Sequence, residues 1–358
     1  MKKRVYVDLH VIQSVPPSCL NRDDTGSPKT AIYGGVRRAR VSSQAWKRAM
    51  RLMFRDYFDQ SQLGMRTLMI YKPIVEEIVR LQPDLSSEEA LKIVQDILKK
   101  VKIEPKKDDK DKVDALFFIG AQQAKNLAAL VLGNIEDKDT EKEIIRTLKE
   151  DNSVDIALFG RMLAKNPLLN CDASAQVAHA ISTHRVENEY DYFTAVDDLG
   201  PEDNAGAGML GTVEYNSATL YRFATVAAHE LFEQLAKNDG VFEQAINEFA
   251  RAFICSMPTG KQNTFAAHTV PDAVLAAIRI DRPLNLAGAF ENPVRGEGLV
   301  PKSAQALEQY TKSVYTDFCS APEKGYVIGN YLNSLGERLS LENLLERLGQ
   351  DVAGLVRA

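Results

Sequence analysis

Cysteine is scarce in this chain, and its four residues, at positions 19, 171, 255 and 319, are too far apart for a metal knuckle or a CxxC redox pair. They read as reduced, buried thiols, and no metal site is expected. No uninterrupted apolar run approaches the roughly 18 residues that a membrane-spanning helix needs. Met1-Lys2-Lys3-Arg4 imitates the charged start of a signal peptide, but Asp8 and His10 interrupt the apolar stretch after it and no small-residue cleavage pattern closes that stretch. The expectation is a soluble, cytoplasmic protein without a membrane partner.

Catalytic signatures are missing too. There is no GxSxG elbow and no dinucleotide fingerprint, and His179 and His184 stand five apart with no glutamate between them. These histidines read as local hydrogen-bonding groups. Gly260-Lys261 lacks the rest of a phosphate loop, since Cys255 stands where the first glycine belongs and Gln262 where a Ser or Thr belongs. By elimination the chain reads as a binding protein, with no catalytic residue and no cofactor.

What is present is an ordinary globular composition of 358 residues, 45% hydrophobic and 26% charged, with a formal net charge of −5. Taken whole, that charge argues against a polyanionic partner. The charge is unevenly spread, at +7 over residues 1–60, −2 over 61–180 and −10 over 181–358. Between Thr25 and Arg55 no acidic residue occurs, while Lys29, Arg37, Arg38, Arg40, Lys47, Arg48, Arg51 and Arg55 all do. Such a stretch is a candidate anion-binding surface within an acidic protein.

Val5, Val7, Leu9 and Val11 alternate with Tyr6, Asp8 and His10, which predicts a strand over 4–15. A turn-rich loop follows over 16–28, and Gly34-Gly35 adds a second flexible point. Trp46, Ala49, Met50, Met53, Phe54 and Tyr57 recur at helical spacing, predicting a helix from Ser42 or Ser43 to Phe58 with Lys47, Arg51 and Arg55 on one face and Arg48 bordering it. Ser86–Glu89 and Thr140–Glu143 fit capping boxes. Helices are predicted at 88–101, 121–132, 141–149, 154–164 and 173–181, and later at 232–253, 304–318 and 339–356. Extended segments at 190–196 and 212–225 flank a glycine-rich excursion and suggest a projecting hairpin. The sum is an α+β domain on an antiparallel sheet, interrupted by a helical insertion.

The strongest binding candidate is Arg38-Ala39-Arg40-Val41-Ser42-Ser43-Gln44 and the helix it opens, because unpaired N–H groups, hydroxyls and guanidinium groups together suit phosphate. An ordinary solvated basic face with a serine cap would have the same sequence. Asp23 and Asp24 beside Arg22 could hold a divalent metal for RNA cleavage, or simply shape a turn.

The runs Pro17-Ser18-Cys19-Leu20-Asn21-Arg22-Asp23-Asp24, Ala31 to Gln44, Lys47-Arg48-Ala49-Met50-Arg51 and Ala175 to His184 resemble the CasC family, the backbone subunits of the type I-E CRISPR Cascade complex. The resemblance extends to about Phe223. It implies a right-hand shape: an RNA-recognition-motif-like (ferredoxin-like) antiparallel palm from 1–60 and 182–358, helical fingers over 61–181, and a thumb hairpin over 196–212. It also implies polymerisation of several copies into a helical filament along one crRNA, pairing of the guide with a target DNA strand, and contact with other Cascade subunits. By position in the motif, Lys29, Lys47 and Arg51 resemble phosphate-contacting residues, and Arg22, Arg38, Arg40, Ser42, Ser43 and Gln44 join them as RNA-binding candidates. Lys261 and Lys302 are further basic candidates outside any motif. Met209 and Leu210 would serve as an apolar thumb wedge. Val36 departs from the run, standing where a basic residue would fit. The competing reading is a metal-dependent RNA-cleaving subunit using Asp23 or Asp24.

Overall fold

The computed structural model describes residues 3–133, 139–196 and 206–358, with the backbone path alone at 196 and 206–210. Its frame is a ten-stranded sheet. The first strand, β1 (Tyr6–Ser18), lies at the centre and is buried on both faces, so Asp8 and His10 are as enclosed as Val7 and Leu9. Next come a tight hairpin of β2 (Thr30–Tyr33) and β3 (Val36–Val41), then helix α1 (Ser43–Met53). Gly34 and Gly35 both adopt positive φ, 58° and 74°. They form a compact two-residue hairpin turn, which needs positive φ at both central positions, and so are not a flexible point. A side chain at Gly34 would also collide with the Glu291 carbonyl, 1.7 Å from its first carbon.

The inserted segment begins with β4 (Gly64–Thr67), α2 (Tyr71–Leu81) and α3 (Ser87–Lys99), the last opened by the expected Ser86–Glu89 capping box. It continues with β5 (Phe117–Gly120), paired to β4, then α4 (Ala121–Leu132) and α5 (Thr140–Lys149). Ile74, Ile78, Val94, Leu98, Phe117, Leu127, Ile144 and Leu148 give this segment a core of its own. Asp139, not Thr140, precedes the first turn of α5, and no side chain caps it. The chain re-enters the main body through α6 (Val154–Phe159), which stops at Gly160 because that residue takes φ 74°. Residues 175–182 then form two short strands, β6 (Ala175–Val177) and β7 (Ala180–Ser182), where a helix over 173–181 was expected. Ala175 and Val177 are buried while Gln176 is exposed, which is the two-residue period of a sheet edge.

The long hairpin is β8 (Glu189–Val196) and β9 (Gly206–Ala227). Residues 197–205 of the expected thumb, and the side chains of Met209 and Leu210, lie outside the described residues. After it come α7 (Ala228–Gln234), α8 (Asp239–Cys255), the short α9 (Gln262–Phe265), β10 (Ala273–Arg279), α10 (Leu299–Asp317), β11 (Lys324–Gly329), β12 (Glu337–Arg338) and α11 (Leu341–Arg357). The expected helix over 232–253 is split between α7 and α8 at Ala236 and Lys237, both with positive φ.

At the centre of the sheet the order is β10-β1-β9-β6, and every neighbouring pair is antiparallel. β1 and β6 therefore run parallel with β9 between them, and β9 and β10 run parallel with β1 between them. The chain crosses between the first pair through α1 and between the second through α8. Trp46 and Met50 of α1, Phe242, Phe249 and Phe253 of α8, and Leu344 and Leu348 of α11 pack on Val7, Leu9 and Val11. The buried Arg222 guanidinium lies 3.8 Å from the Trp46 ring centroid and donates to Gln13 Oε1 (2.5 Å) and the Phe253 carbonyl, which meet part of the hydrogen-bonding need that burial imposes.

The opposite face is closed as well. Leu286, Phe290, Ala304 and Leu307 cover Ile12, Tyr221, Phe223 and Leu275. Beneath this cover Asp8 Oδ2 accepts from the Leu284 amide (2.8 Å), and His10 Nδ1 is hydrogen-bonded to the Tyr221 hydroxyl (2.9 Å). Burial lifts the Asp8 carboxyl to about 7 and depresses the His10 ring to about 3, with Arg279 opposing the first shift and adding to the second.

The cysteines are all free. Cys19 is buried, Cys171 and Cys319 are half-buried, and Cys255 is exposed, which corrects the expectation of four buried thiols. Among the described residues no helix is long and apolar enough to cross a membrane.

Candidate nucleic-acid interface

The loop from β1 to β2 folds back on itself. Lys29 donates its amide to the Asn21 carbonyl (2.9 Å), Arg22 and Pro28 form a bridge, and Asp23 organises the tip. Asp23 Oδ1 accepts from the Thr25 amide (3.0 Å), the Thr25 hydroxyl (2.7 Å) and the Ser27 amide (3.1 Å), bonds that hold the carboxyl below its usual range. Asp24 is exposed beside it. Among the described residues no cluster of three or more His, Cys, Asp or Glu is placed to hold a metal.

This loop is pinned to the start of α1, because Asn21 Oδ1 accepts from the Ser42 amide (2.9 Å). Ser42 Oγ accepts from the Ala45 amide (3.3 Å), so the buried serine caps the helix, as its residue type and place predict. Gly260 packs on the same loop from the far end of α8. A side chain there would meet the Leu20 carbonyl oxygen at 2.3 Å, so only glycine permits the approach.

The result is a groove whose walls include Lys29, Gln44, Arg48, Thr259 and Gly260, continuous with a hollow lined by Arg22 and Asp24. Arg48 reaches across to the Thr259 hydroxyl (3.5 Å). Lys261 follows Gly260 directly, and its charge reaches the loop: burial pushes the Cys19 thiol up, while Arg22 and Lys261 both pull against that shift. On the adjoining side Arg40 donates to the Thr30 carbonyl (3.1 Å) and shares a hydrogen bond with His179 Nδ1 (3.0 Å). Burial, then Arg40 and Lys29, hold the His179 ring below its usual value. His184 has the local role expected of it, accepting from the Thr219 amide at Nε2 (3.0 Å).

The other expected contacts divide. Ser43 is half-buried and Gln44 exposed at the groove. Lys47 and Arg51 face away from it, toward the inserted segment: Lys47 lies 5.7 Å from the Phe159 ring centroid, and Arg51 pairs with Asp155 (3.0 Å). Arg38 is a correction. It is fully buried, and its guanidinium donates to the carbonyls of Tyr33 (3.1 Å), Ser182 (3.0 Å) and Phe290 (2.7 Å), so it braces the closed face of the sheet and offers nothing to solvent. Lys302 stands on α10, bonded to the Arg295 carbonyl (3.1 Å), and among the described residues no hydrogen bond or ion pair joins it to the groove. Arg48 is the groove cation that helical spacing ranked too low, since its border position on α1 turns out to be the groove side.

Fold and groove together define a mixed α and β protein with a large mixed sheet, an inserted helical unit and a cation-lined cleft at one sheet edge. The chain belongs to the CT1975-like protein family, whose model matches residues 7–348. It is similar to a solved chain described as "CRISPR RNA-guided surveillance complex, pre-nicking", with 32% identity and a TM-score of 0.81 over 97% of this chain and 100% of that one. A second, described as "CRISPR RNA-guided surveillance complex", shares 29% identity with a TM-score of 0.64 over 97% and 99%. No curated protein sequence matches the chain.

Proposed function

We propose that this protein holds the crRNA of a type I-E CRISPR surveillance complex as its backbone subunit. The observation that carries this reading is the groove, where Arg22, Lys29 and Arg48 are gathered from two stretches of a chain whose net charge is −5. The descriptions of the two similar structures point the same way. A subunit serving any guide must grip phosphates and leave base edges free, and lysine, arginine and exposed amides do that without reading sequence. The central strand order with its two helical crossovers supports an RNA-recognition-motif-like palm, the separate core of the insertion supports fingers, and the β8–β9 hairpin supports a thumb. In this palm the broad face of the sheet is occupied by α10, so the guide runs along the edge groove. Copies following one another on the guide form the helical filament, with its bases facing the target DNA strand and other Cascade subunits capping the ends, all in the cytoplasm.

The subunit is non-catalytic in this reading, because the Asp23 carboxylate is committed to its turn. Co-expression with a guide and the partner subunits tests the proposal: a large particle containing intact guide RNA is expected, stable in Mg²⁺. An RNA-free monomer would overturn it, and RNA cleavage lost in Asp24→Asn would replace it with the nuclease reading.

A further inference from the structure

The side of α1 facing away from the groove meets the inserted segment at a seam crowded with cations. Arg51 stands one helical turn after Lys47, and Arg66 comes from β4 of the insertion. Arg66 is paired across the strands with Phe118, and its guanidinium lies 5.0 Å from the centre of that ring. Arg51 lies over the same ring at 4.4 Å. Phe118 is itself buried, so two guanidinium groups share one fixed aromatic platform. Such contacts are individually weak, too weak to make a gathering of like charges favourable by themselves.

One carboxylate serves this cluster. Asp155 is buried, and both of its oxygens are occupied: Oδ2 by Arg51 (3.0 Å), Oδ1 by the Gly64 amide (2.8 Å) and the Ser153 hydroxyl (2.8 Å). Among the described residues neither Lys47 nor Arg66 has a carboxylate within ion-pair distance. Burial and then the neighbouring Arg66 hold the Lys47 ammonium below the usual lysine range, and burial and then Arg51 do the same for Arg66. Lys47 therefore feels Arg66, and Arg66 feels Arg51 and, in the opposite sense, Asp155, so that among the described residues three cations share one carboxylate, ion-paired to Arg51 alone.

We propose that Arg66 completes a phosphate seat with Lys47 and Arg51 at the seam between α1 and the inserted segment, so that the RNA is held by the insertion as well as by the palm. This rests on the RNA-holding reading above. A phosphodiester placed there supplies the missing anion, and because its partners come from both parts it ties β4 and β5 to α1 when RNA is bound. Arg66 lies outside the acid-free run of 25–55, in a stretch with no basic neighbour in sequence, and it reaches the seam because β4 is tied to α1, where Arg51 donates to the Gly64 carbonyl (3.2 Å).

Fluorescent single-stranded RNA of guide length, titrated against the full chain over a series of salt concentrations, tests the proposal. Arg66→Ala is expected to bind about tenfold more weakly and to lower the log–log salt slope by about 0.7, the value for one phosphate contact on a single strand. Arg66→Gln, which keeps the stem over Phe118, should lose the same slope, while Arg66→Lys should retain most of it. Unfolding midpoints of all three should stay near that of the parent chain, since Arg66 is exposed. An unchanged slope in both Arg66→Ala and Arg66→Gln, with the parent chain binding RNA, would overturn the seat alone. No RNA binding by the parent chain would overturn the seat and the underlying reading together.

Discussion

The closed face of the sheet and the open groove at its edge both carry arginines from the same short strand, and they use them in opposite ways. Arg38 enters the closed face and gives its donors to backbone carbonyls, whereas Arg40, two residues on, stays half-exposed beside Lys29 and His179. What separates them is the cover supplied by residues 286–290 and α10, not the local sequence. A guanidinium under that cover is a structural brace. One beyond it can meet an anion.

The largest effect expected from this contrast is on folding. Arg38→Ala strands two buried carbonyl acceptors and one part-buried one, and at about 1–3 kcal/mol for each group left without a partner it should destabilise the chain by about 3–5 kcal/mol in denaturant unfolding. Arg40→Ala should cost about 1 kcal/mol or less by the same measurement, since its guanidinium is partly solvated. Equal losses for the two would break the comparison.

A second effect belongs to the closed face alone. The Asp8 carboxyl sits near 7 in the folded chain against 3.8 for the free side chain, so the folded state holds a proton that the unfolded state has released between those values. Its favourable contribution is complete below about 3.8 and disappears as pH rises toward 7. The stability of Asp8→Asn relative to the parent should therefore grow from pH 4 to 7, by up to about 1.4 kcal/mol per unit, and level off above. A gap that shrinks over that range would mean that Asp8 is solvated or paired. His10 pulls the parent's own profile the other way. Its ring is depressed to about 3, so the neutral form it needs becomes harder to keep below about 6.5, which is why the difference between the two chains is the informative quantity.

Much of the body was legible in the sequence. The period-two pattern of β1, the serine cap and buried stripe of α1, the Ser86 capping box and the helical character of the insertion all come from local rules, and the structure realises them. What escaped was set by contacts distant in sequence. Residues 175–182 mix alanines with Val177, Ile181 and polar residues in a pattern compatible with either period, and pairing with β9 makes them strands. The alternation that sets Asp8 and His10 opposite Val7 and Leu9 does not show that both faces are buried, which the cover of residues 286–290 and α10 decides. Of the groove, the acid-free run gave Lys29, Gln44 and the helix start. Gly260 came in through its close approach to Leu20, and Arg38 left because a charge run does not reveal which of its members points inward.

The central claim is that the open groove, and not the closed face, grips RNA phosphates. Its most direct test is the salt dependence of RNA binding by Lys29→Ala/Arg48→Ala beside the parent chain. The slope should fall by about 1.4, two contacts at about 0.7 each, with a similar loss of affinity for every RNA sequence and an unchanged unfolding midpoint. A parent-like slope in the double variant, or a loss confined to one RNA sequence, would contradict it.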